Sequence, residues 1–224
     1  MIKTIYHGSD HVIQHPVFHG GKRNNDYGYG FYCTESKEMA MEWAVRPESD
    51  GFANSYQIDL SGLRILKLSA DYPVIVWLAV LLKNRRFNLD TPLSREAYSY
   101  ISDHFSIDLE PYDIITGYRA DDSYFSFAQD FLSNAISYEQ LSAAMQLGNL
   151  GEQFVLYSRK SYERVTFVEA IPTLRESWLE KKLRRDRAAR AAYLQSDRMS
   201  YRRGELYVME ILDREMKEDD PRLR

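Results

Sequence analysis

The chain has 224 residues, a length that suits one sizeable domain with room for a small appendage. Its 44% hydrophobic and 28% charged residues are typical of a globular protein, and a net charge of -4 argues against a surface that follows nucleic acid or anionic lipid throughout. The single cysteine excludes an internal disulfide framework, and neither a signal peptide nor a membrane-spanning run is predicted. We therefore expect a cytoplasmic protein without a membrane partner, and export as an effector stays open as an alternative.

The first predicted element is a β-rich alternating strand, Ile2 to Tyr6, which ends in the motif His7-Gly8-Ser9. Histidines then recur at intervals of four residues as far as His19, a spacing that would form a metal-binding stripe on a helix. Pro16 and the glycines that follow it exclude a helix there, so we predict no metal site.

The most informative stretch is a tight Gly28-x-Gly30 turn that leads into a short aromatic strand containing Tyr32. A helix follows, capped by a hydroxyl side chain, and places Trp43 eleven residues after Tyr32. Opposed tyrosine and tryptophan faces form a slot for a flat ring, and packing of both rings in the core is the alternative. The polar loop before the turn holds Arg23, which is either solvated or a phosphate contact through its planar guanidinium.

The rest of the body alternates between strand and helix patterns. Strands are predicted over Phe52 to Asp59, Leu63 to Leu68, Tyr112 to Thr116, Glu152 to Tyr157 and Arg164 to Ala170. Helices are predicted over Tyr72 to Arg86, Pro92 to His104, Ser123 to Asn134, and from the capping box at Ser137 to Gly148. The pattern indicates one α+β domain over residues 1–171 with a helical insertion.

Residues 172–224 have a different composition and are predicted to form a charged helical C-terminal extension. A capping box at Thr173 opens a long helix to about Leu194, and a second helix is predicted over Met199 to Lys217. Ten Lys or Arg stand against four Asp or Glu between Arg175 and Arg203. Such a segment packs on its own domain, contacts a partner or second copy through residues 173–217, or touches nucleic acid.

Three motifs together resemble the ADP-ribosyltransferase superfamily, in the His-Tyr-Glu branch of diphtheria toxin and the poly(ADP-ribose) polymerases. They are His7-Gly8-Ser9, Gly28-x-Gly30-Phe31-Tyr32, and Glu152-Gln153 at the start of a late strand. The spacing from Tyr32 to Trp43 is also similar to that of the second stacking aromatic of the superfamily. Residues 1–171 further resemble a bacterial family of unknown function assigned to this fold, which implies a split antiparallel β-sandwich.

The resemblance implies NAD as co-substrate and cleavage of the bond between nicotinamide and ribose, with no metal. His7 would bind the adenosine ribose, the Gly8 backbone would read the carboxamide, and Tyr32 and Trp43 would enclose the nicotinamide ring. The implied catalytic residues are His7, Tyr32 and either Gln153 or Glu152, and the implied cofactor contacts are His7, Gly8, Ser9, Arg23, Gly30, Tyr32 and Trp43.

The third catalytic position departs from the superfamily, because Gln153 aligns where a glutamate is expected. Adjacent strand residues point to opposite faces, so only Gln153 or Glu152 can face the cleft. We expect an NAD-dependent mono-ADP-ribosyltransferase acting on a protein or nucleic-acid acceptor, in the way of a bacterial toxin from a toxin-antitoxin or phage-defence pair, with the antitoxin as a further partner. The alternatives are a non-catalytic module that binds NAD, ADP-ribose or a partner, and an NAD glycohydrolase.

Overall fold

Strands and helices alternate along the chain in this computed structural model, which describes residues 1–120, 122–145, 151–195 and 201–223. The strands are β1 (Ile2–Ser9), β2 (Phe31–Cys33), β3 (Gly51–Asp59), β4 (Ile65–Lys67), β5 (Ile114–Tyr118), β6 (Glu152–Leu156) and β7 (Val165–Thr173). The helices are α1 (Lys37–Ala44), α2 (Leu68–Asp71), α3 (Val74–Asn84), α4 (Pro92–His104), α5 (Asp122–Leu132), α6 (Tyr138–Ala144), α7 (Arg159–Glu163), α8 (Arg175–Gln195) and α9 (Val208–Asp213), with a 3₁₀ turn at Pro221–Leu223.

The strands form two sheets, which confirms the predicted α+β class. One sheet has the order β1-β3-β7 and is antiparallel throughout. The other has the order β2-β6-β5-β4, and its β4 and β5 pair in parallel, so the prediction of purely antiparallel sheets is wrong for that pair. A parallel pair needs a long crossover, and the predicted helical insertion, here α2 to α4, provides it.

Two apolar layers follow from the alternation of side chains along the strands. In β6, Phe154 and Leu156 point toward the three-stranded sheet, where they join Ile5 of β1 and Tyr56 of β3 in a core between the sheets. Val155 points the other way, into a larger core that the helices of the insertion cover. Gln153 is on the same face as Val155, which determines where its amide points.

Helix α1 packs closely on β1 because one residue of the strand has no side chain. The helix begins as predicted, with the Ser36 hydroxyl accepting a hydrogen bond from the Met39 backbone N–H at 3.2 Å. A Cβ atom on Gly8 would lie 2.8 Å from the Trp43 Cβ and 2.7 Å from the Ala44 backbone nitrogen. These separations are below van der Waals contact, so Gly8 permits the approach that brings Trp43 next to the end of β1.

The C-terminal region differs from its prediction at both ends. Strand β7 continues through Thr173, whose hydroxyl donates to a strand carbonyl, so the capping box predicted there is wrong. Helix α8 begins at Arg175 instead, and the Arg175 backbone N–H donates to the Asp50 carboxylate at 2.7 Å. The second predicted helix is reduced to α9, and its predicted start at Met199 lies outside the described residues.

The last segment is part of the body and not a solvated tail. Leu206, Val208 and Ile211 are fully buried in the same core as the helices of the insertion. The Tyr138 backbone N–H donates to the Leu206 carbonyl at 2.6 Å, which ties this segment to α6. Residues 206–211 therefore contribute to the stability of the body.

Smaller differences concern element boundaries. Strand β1 runs through Ser9, past the predicted end at Tyr6, and the strand predicted over Leu63 to Leu68 is shorter and followed by α2. Helix α7, between β6 and β7, was not predicted, and the predicted helix end at Gly148 lies outside the described residues. None of the helices in the described part of the chain is long and apolar enough to cross a membrane.

Candidate functional site

A cleft of about 1320 Å³ opens where β1 and β2 separate. Tyr6 exchanges two backbone hydrogen bonds with Thr34, at 2.8 and 2.9 Å, and beyond this bridge the two strands diverge. The following loop, the Gly-x-Gly turn, α1 and α8 enclose the space between them. The cleft brings together seven of the nine predicted site residues, namely His7, Gly8, Ser9, Gly30, Tyr32, Trp43 and Gln153. Arg23, an exposed loop residue, and Glu152 do not line it.

The imidazole of His7 is held in one tautomer by the strand opposite. Its Nδ1 lies 2.6 Å from the Tyr32 carbonyl oxygen, which can only accept, so Nδ1 carries the hydrogen. The ring stacks on Phe31 with centroids 4.3 Å apart. Burial lowers the pKa of His7, and the ring is therefore neutral, with Nε2 as an acceptor. The structure places His7 within β1 and not after its end.

The Gly8 peptide groups face the opening between the two strands. Tyr6 directs its N–H and C=O toward β2, and because directions alternate along a strand, Gly8 directs its own groups to the same edge. Strand β2 has diverged by that point. Helix α1 occupies the position where a Cβ atom of residue 8 would lie, so a glycine is needed there for the helix to pack on β1. The backbone of Gly8 faces the cleft.

Tyr32 contributes a ring and not a reactive hydroxyl. Its hydroxyl donates to the Gly28 carbonyl at 2.7 Å and accepts from the Tyr27 N–H at 3.1 Å, which holds the turn closed. Gly28 has φ of +77°, a conformation that favours glycine. Burial raises the pKa of the Tyr32 hydroxyl well above its ordinary value, so it stays protonated and cannot act as a base.

Trp43 of α1 also lines the cleft. The Arg119 guanidinium lies over its ring at 4.5 Å from the centroid, and no ring contact with Tyr32 is present in the described part of the chain. One face of Trp43 is thus covered by a cation, and a stacked ligand would use the other face or displace Arg119. The indole Nε1–H is buried without a partner among the described residues, and a ligand carbonyl could satisfy it.

Gln153, and not Glu152, faces the cleft. The Gln153 side chain is only 6% exposed, and its Nε2 donates to the Asp26 Oδ2 at 3.1 Å. Its Oε1 is buried and has no hydrogen-bond partner in the described ranges. Glu152 points away and accepts a hydrogen bond from the Ser69 hydroxyl. The site therefore contains a buried amide oxygen that has no hydrogen-bond partner among the described residues.

The carboxyl group that fixes this amide belongs to Asp26, which the sequence reasoning missed. Asp26 is 4% exposed and accepts hydrogen bonds from the Ala120 N–H and from Arg85, both at 2.9 Å. Burial raises the pKa of Asp26, while the donors, including Gln153, oppose that shift. The position of this acid directly before the Tyr27-Gly28 turn was the only feature of the sequence that could have indicated it. Its partners are 59 to 127 residues away in the chain, so their contact with Asp26 is not visible in the sequence.

Ser9 and Asn54 build the loop after β1. The Ser9 hydroxyl donates to the His11 carbonyl at 2.6 Å and accepts from the Asn54 side-chain amide at 2.9 Å. The Asn54 Oδ1 accepts from the Ile13 N–H at 3.0 Å. Asn54 is fully buried and was not predicted as a site residue. Both side chains shape the wall of the cleft through these internal bonds.

The lining of the cleft is positively charged, although the chain is acidic as a whole. Among the described residues that line it are six Lys or Arg and three Asp, and His7 is neutral. The described part of the chain contains no group of three or more His, Cys, Asp or Glu side chains that could hold a metal ion. The cleft is therefore suited to an organic anion with a hydroxyl donor and a flat ring.

These features define an α+β protein with a deep, cationic cleft between the end of one sheet and the edge strand of another. The sequence model of a family described as "Protein of unknown function (DUF3990)" matches residues 3–167, well over half of the chain. The chain belongs to this family. Comparisons with curated proteins and with solved structures found no match.

Proposed function

We propose that the protein is an NAD-dependent mono-ADP-ribosyltransferase with the two-sheet core of that superfamily. The observation that carries the proposal is the convergence of four side chains from four different elements on one cleft, namely His7, Tyr32, Trp43 and Gln153. Gln153 contributes a buried acceptor without a partner, a feature that is costly to stability unless a ligand donates to it. A ribose hydroxyl is a donor of the required kind.

The chemistry breaks the bond between ribose C1′ and the pyridinium nitrogen of NAD. The bonding electron pair leaves with nicotinamide, which becomes neutral, and positive charge develops on the ribose. The acceptor then forms a new bond to C1′ and loses a proton. In this site Gln153 would hold the ribose hydroxyl, and the Asp26 carboxylate, 3.1 Å behind its amide, would supply negative charge to the transition state.

Binding of the two ends of NAD would follow from the groups that face the cleft. The neutral His7 ring offers Nε2 to a hydroxyl of the adenosine ribose, and the Gly8 peptide groups offer one donor and one acceptor to the carboxamide. The ring of Tyr32 and the free face of Trp43 would enclose nicotinamide. The acceptor and the role as a toxin stay predictions.

The test is release of nicotinamide from NAD by the purified chain, with NAD affinity measured by calorimetry. The variant is His7→Ala, and the matched control is His104→Ala, since His104 is exposed on α4 and outside the cleft. We expect His7→Ala to abolish NAD binding while a cooperative thermal unfolding transition is kept, and the control to bind as the parent does.

Each other outcome has a defined meaning. Absence of NAD binding by the parent, or unchanged binding by His7→Ala, would refute the proposed site. Binding without nicotinamide release, even with cell extract as acceptor, would support the non-catalytic alternative. Release with free ADP-ribose as the only product would indicate a glycohydrolase, whereas labelled ADP-ribose on a macromolecule is the result we predict.

A further inference from the structure

The long helix α8 lies outside the family match, which ends at residue 167, yet it forms part of the cleft wall. Lys182, Arg185 and Asp186 of α8 line the cleft beside Trp43. The composition of this helix predicted packing on its own domain, contact with a partner or second copy, or contact with nucleic acid. The helix packs on its own domain, and its position brings charged side chains to the place where a ligand would lie.

One face of α8 is fixed against α1. The Arg185 guanidinium forms an ion pair with Glu42 at 2.5 Å and contacts the Met39 sulfur at 2.6 Å, and Ala189, one turn further, is buried. The Lys182 ammonium donates to the Val45 carbonyl at 3.3 Å, just past the end of α1. These contacts hold the cations of α8 at defined positions.

The charges on this wall are unevenly compensated. Within the described residues, Arg46, Arg85 and Arg185 each have a carboxylate partner, whereas the Lys182 ammonium bonds only to a neutral carbonyl. Burial lowers the pKa of Lys182, and the positive charges of Arg119 and Arg185 lower it further. The negative charges of Asp186 and Glu42 act in the opposite direction. Like charges that converge in a cleft are stabilised by an anion bound between them.

We propose that Lys182 of α8 and Arg119, directly after β5, together bind the phosphate groups of the ligand in the cleft. The class of ligand is a nucleoside pyrophosphate, and its assignment as NAD rests on the function proposed above. Arg119 already lies over the Trp43 ring, so the phosphates would be held beside the stacking site. The C-terminal helix is then a part of the binding site, and residues 1–171 alone do not form a complete one.

The test compares two lysines next to each other in sequence on the same helix. Lys182→Met removes the ammonium and keeps the apolar stem, and Lys181→Met is the control because Lys181 is exposed and lies over the Trp178 ring. The full-length parent and both variants are titrated with inorganic pyrophosphate, ADP-ribose and nicotinamide riboside, which lacks phosphate. Thermal unfolding is recorded for all three proteins.

We expect Lys182→Met to weaken the binding of pyrophosphate and of ADP-ribose by about tenfold or more, because one charge-assisted hydrogen bond is lost. The affinity of the variant for these two compounds should also depend less on salt concentration than that of the parent. Nicotinamide riboside should bind equally to all three proteins, and Lys181→Met should match the parent. An equal loss for all three ligands would show that Lys182 only positions α1 and would overturn the proposal, as would no loss for either phosphate compound.

The two proposals fail in different ways. Pyrophosphate binding that depends on Lys182, with no binding of NAD, would leave the phosphate site standing and refute the transferase. Binding of NAD and nicotinamide riboside that is indifferent to Lys182→Met would leave the transferase standing and refute the phosphate site. No binding of pyrophosphate by the parent refutes the phosphate site as well.

Discussion

Replacing the cleft amide with the glutamate of the superfamily should destabilise this protein in a pH-dependent way. In Gln153→Glu, a carboxylate oxygen takes the place of the Nε2 that now lies 3.1 Å from the Asp26 Oδ2. Two negative charges at that separation repel by about 5 kcal/mol at an effective dielectric constant of about 20. This repulsion raises the pKa of the new carboxyl group well above the ordinary glutamate value of about 4.3.

The sign of the effect follows from that direction. A carboxyl group whose pKa is raised on folding leaves stability intact below its unfolded pKa of about 4.3, and stability is lost as the pH rises above that value toward the raised pKa of the folded state. The loss relative to the parent should therefore be larger at pH 7 than at pH 5, up to the repulsion of about 5 kcal/mol between the two carboxylates. The Asp26 carboxyl and the new one would share a proton at neutral pH.

Urea unfolding of the parent, Gln153→Glu and the neutral control Gln153→Met, at pH 5 and pH 7, measures this difference. The control adds no titrating group, and we expect it to show a smaller pH dependence than Gln153→Glu, limited to the rise in the Asp26 pKa that follows loss of the Gln153 donor. Parallel profiles for the two variants would refute the reasoning that Asp26 bears a charge directly behind Gln153. We also expect Gln153→Glu not to increase nicotinamide release at pH 7.

Three further predictions concern the walls of the cleft and the core. Gly8→Ala should lower the free energy of unfolding by about 1–3 kcal/mol or more, measured in urea, since its Cβ would lie 2.7 Å from the Ala44 nitrogen, and an unchanged value would contradict the packing of α1 on β1. The parent should lose stability as the pH falls below the ordinary histidine pKa of 6.5, because the unfolded chain binds a proton at His7 before the folded protein does. His7→Gln should lack this part of the stability loss. Coinciding pH profiles of the parent and the variant would show that His7 is not buried as a neutral ring. Leu206→Ala should cost about 2–5 kcal/mol in the main unfolding transition, and a transition left unchanged would mean that the C-terminal segment unfolds separately.

The parts of the fold that the sequence predicted are those with a local signal. Alternating β-rich runs located most of the strands, and the hydroxyl cap at Ser36 and the capping box at Ser137 located the starts of α1 and α6. The same logic failed at Thr173, the first residue of a local capping pattern, because pairing with β3 makes Thr173 the last residue of β7. No local sequence pattern indicates that β4 pairs with β5 in parallel, because the pairing of strands depends on tertiary contacts.

Only those residues of the candidate site that belong to short sequence motifs could be predicted from the sequence. His7, Tyr32 and Trp43 are marked by short patterns, and the structure brings them to one cleft. Asp26 and Lys182 are not marked, because their roles depend on partners far away in sequence and on burial that only the packed structure defines. The alternation of side chains along β6 shows that only one of Glu152 and Gln153 can face the cleft, but it does not indicate which one. The answer depends on which face of β6 packs on the helices.

The most direct test of the proposed function is nicotinamide release from NAD by the parent and by Gln153→Met, with His104→Ala as the control. We predict release by the parent and the control, and a loss of release with Gln153→Met while NAD still binds, because the amide acts on the ribose in the transition state. Release that is unaffected by Gln153→Met, or no NAD binding by the parent, would contradict it.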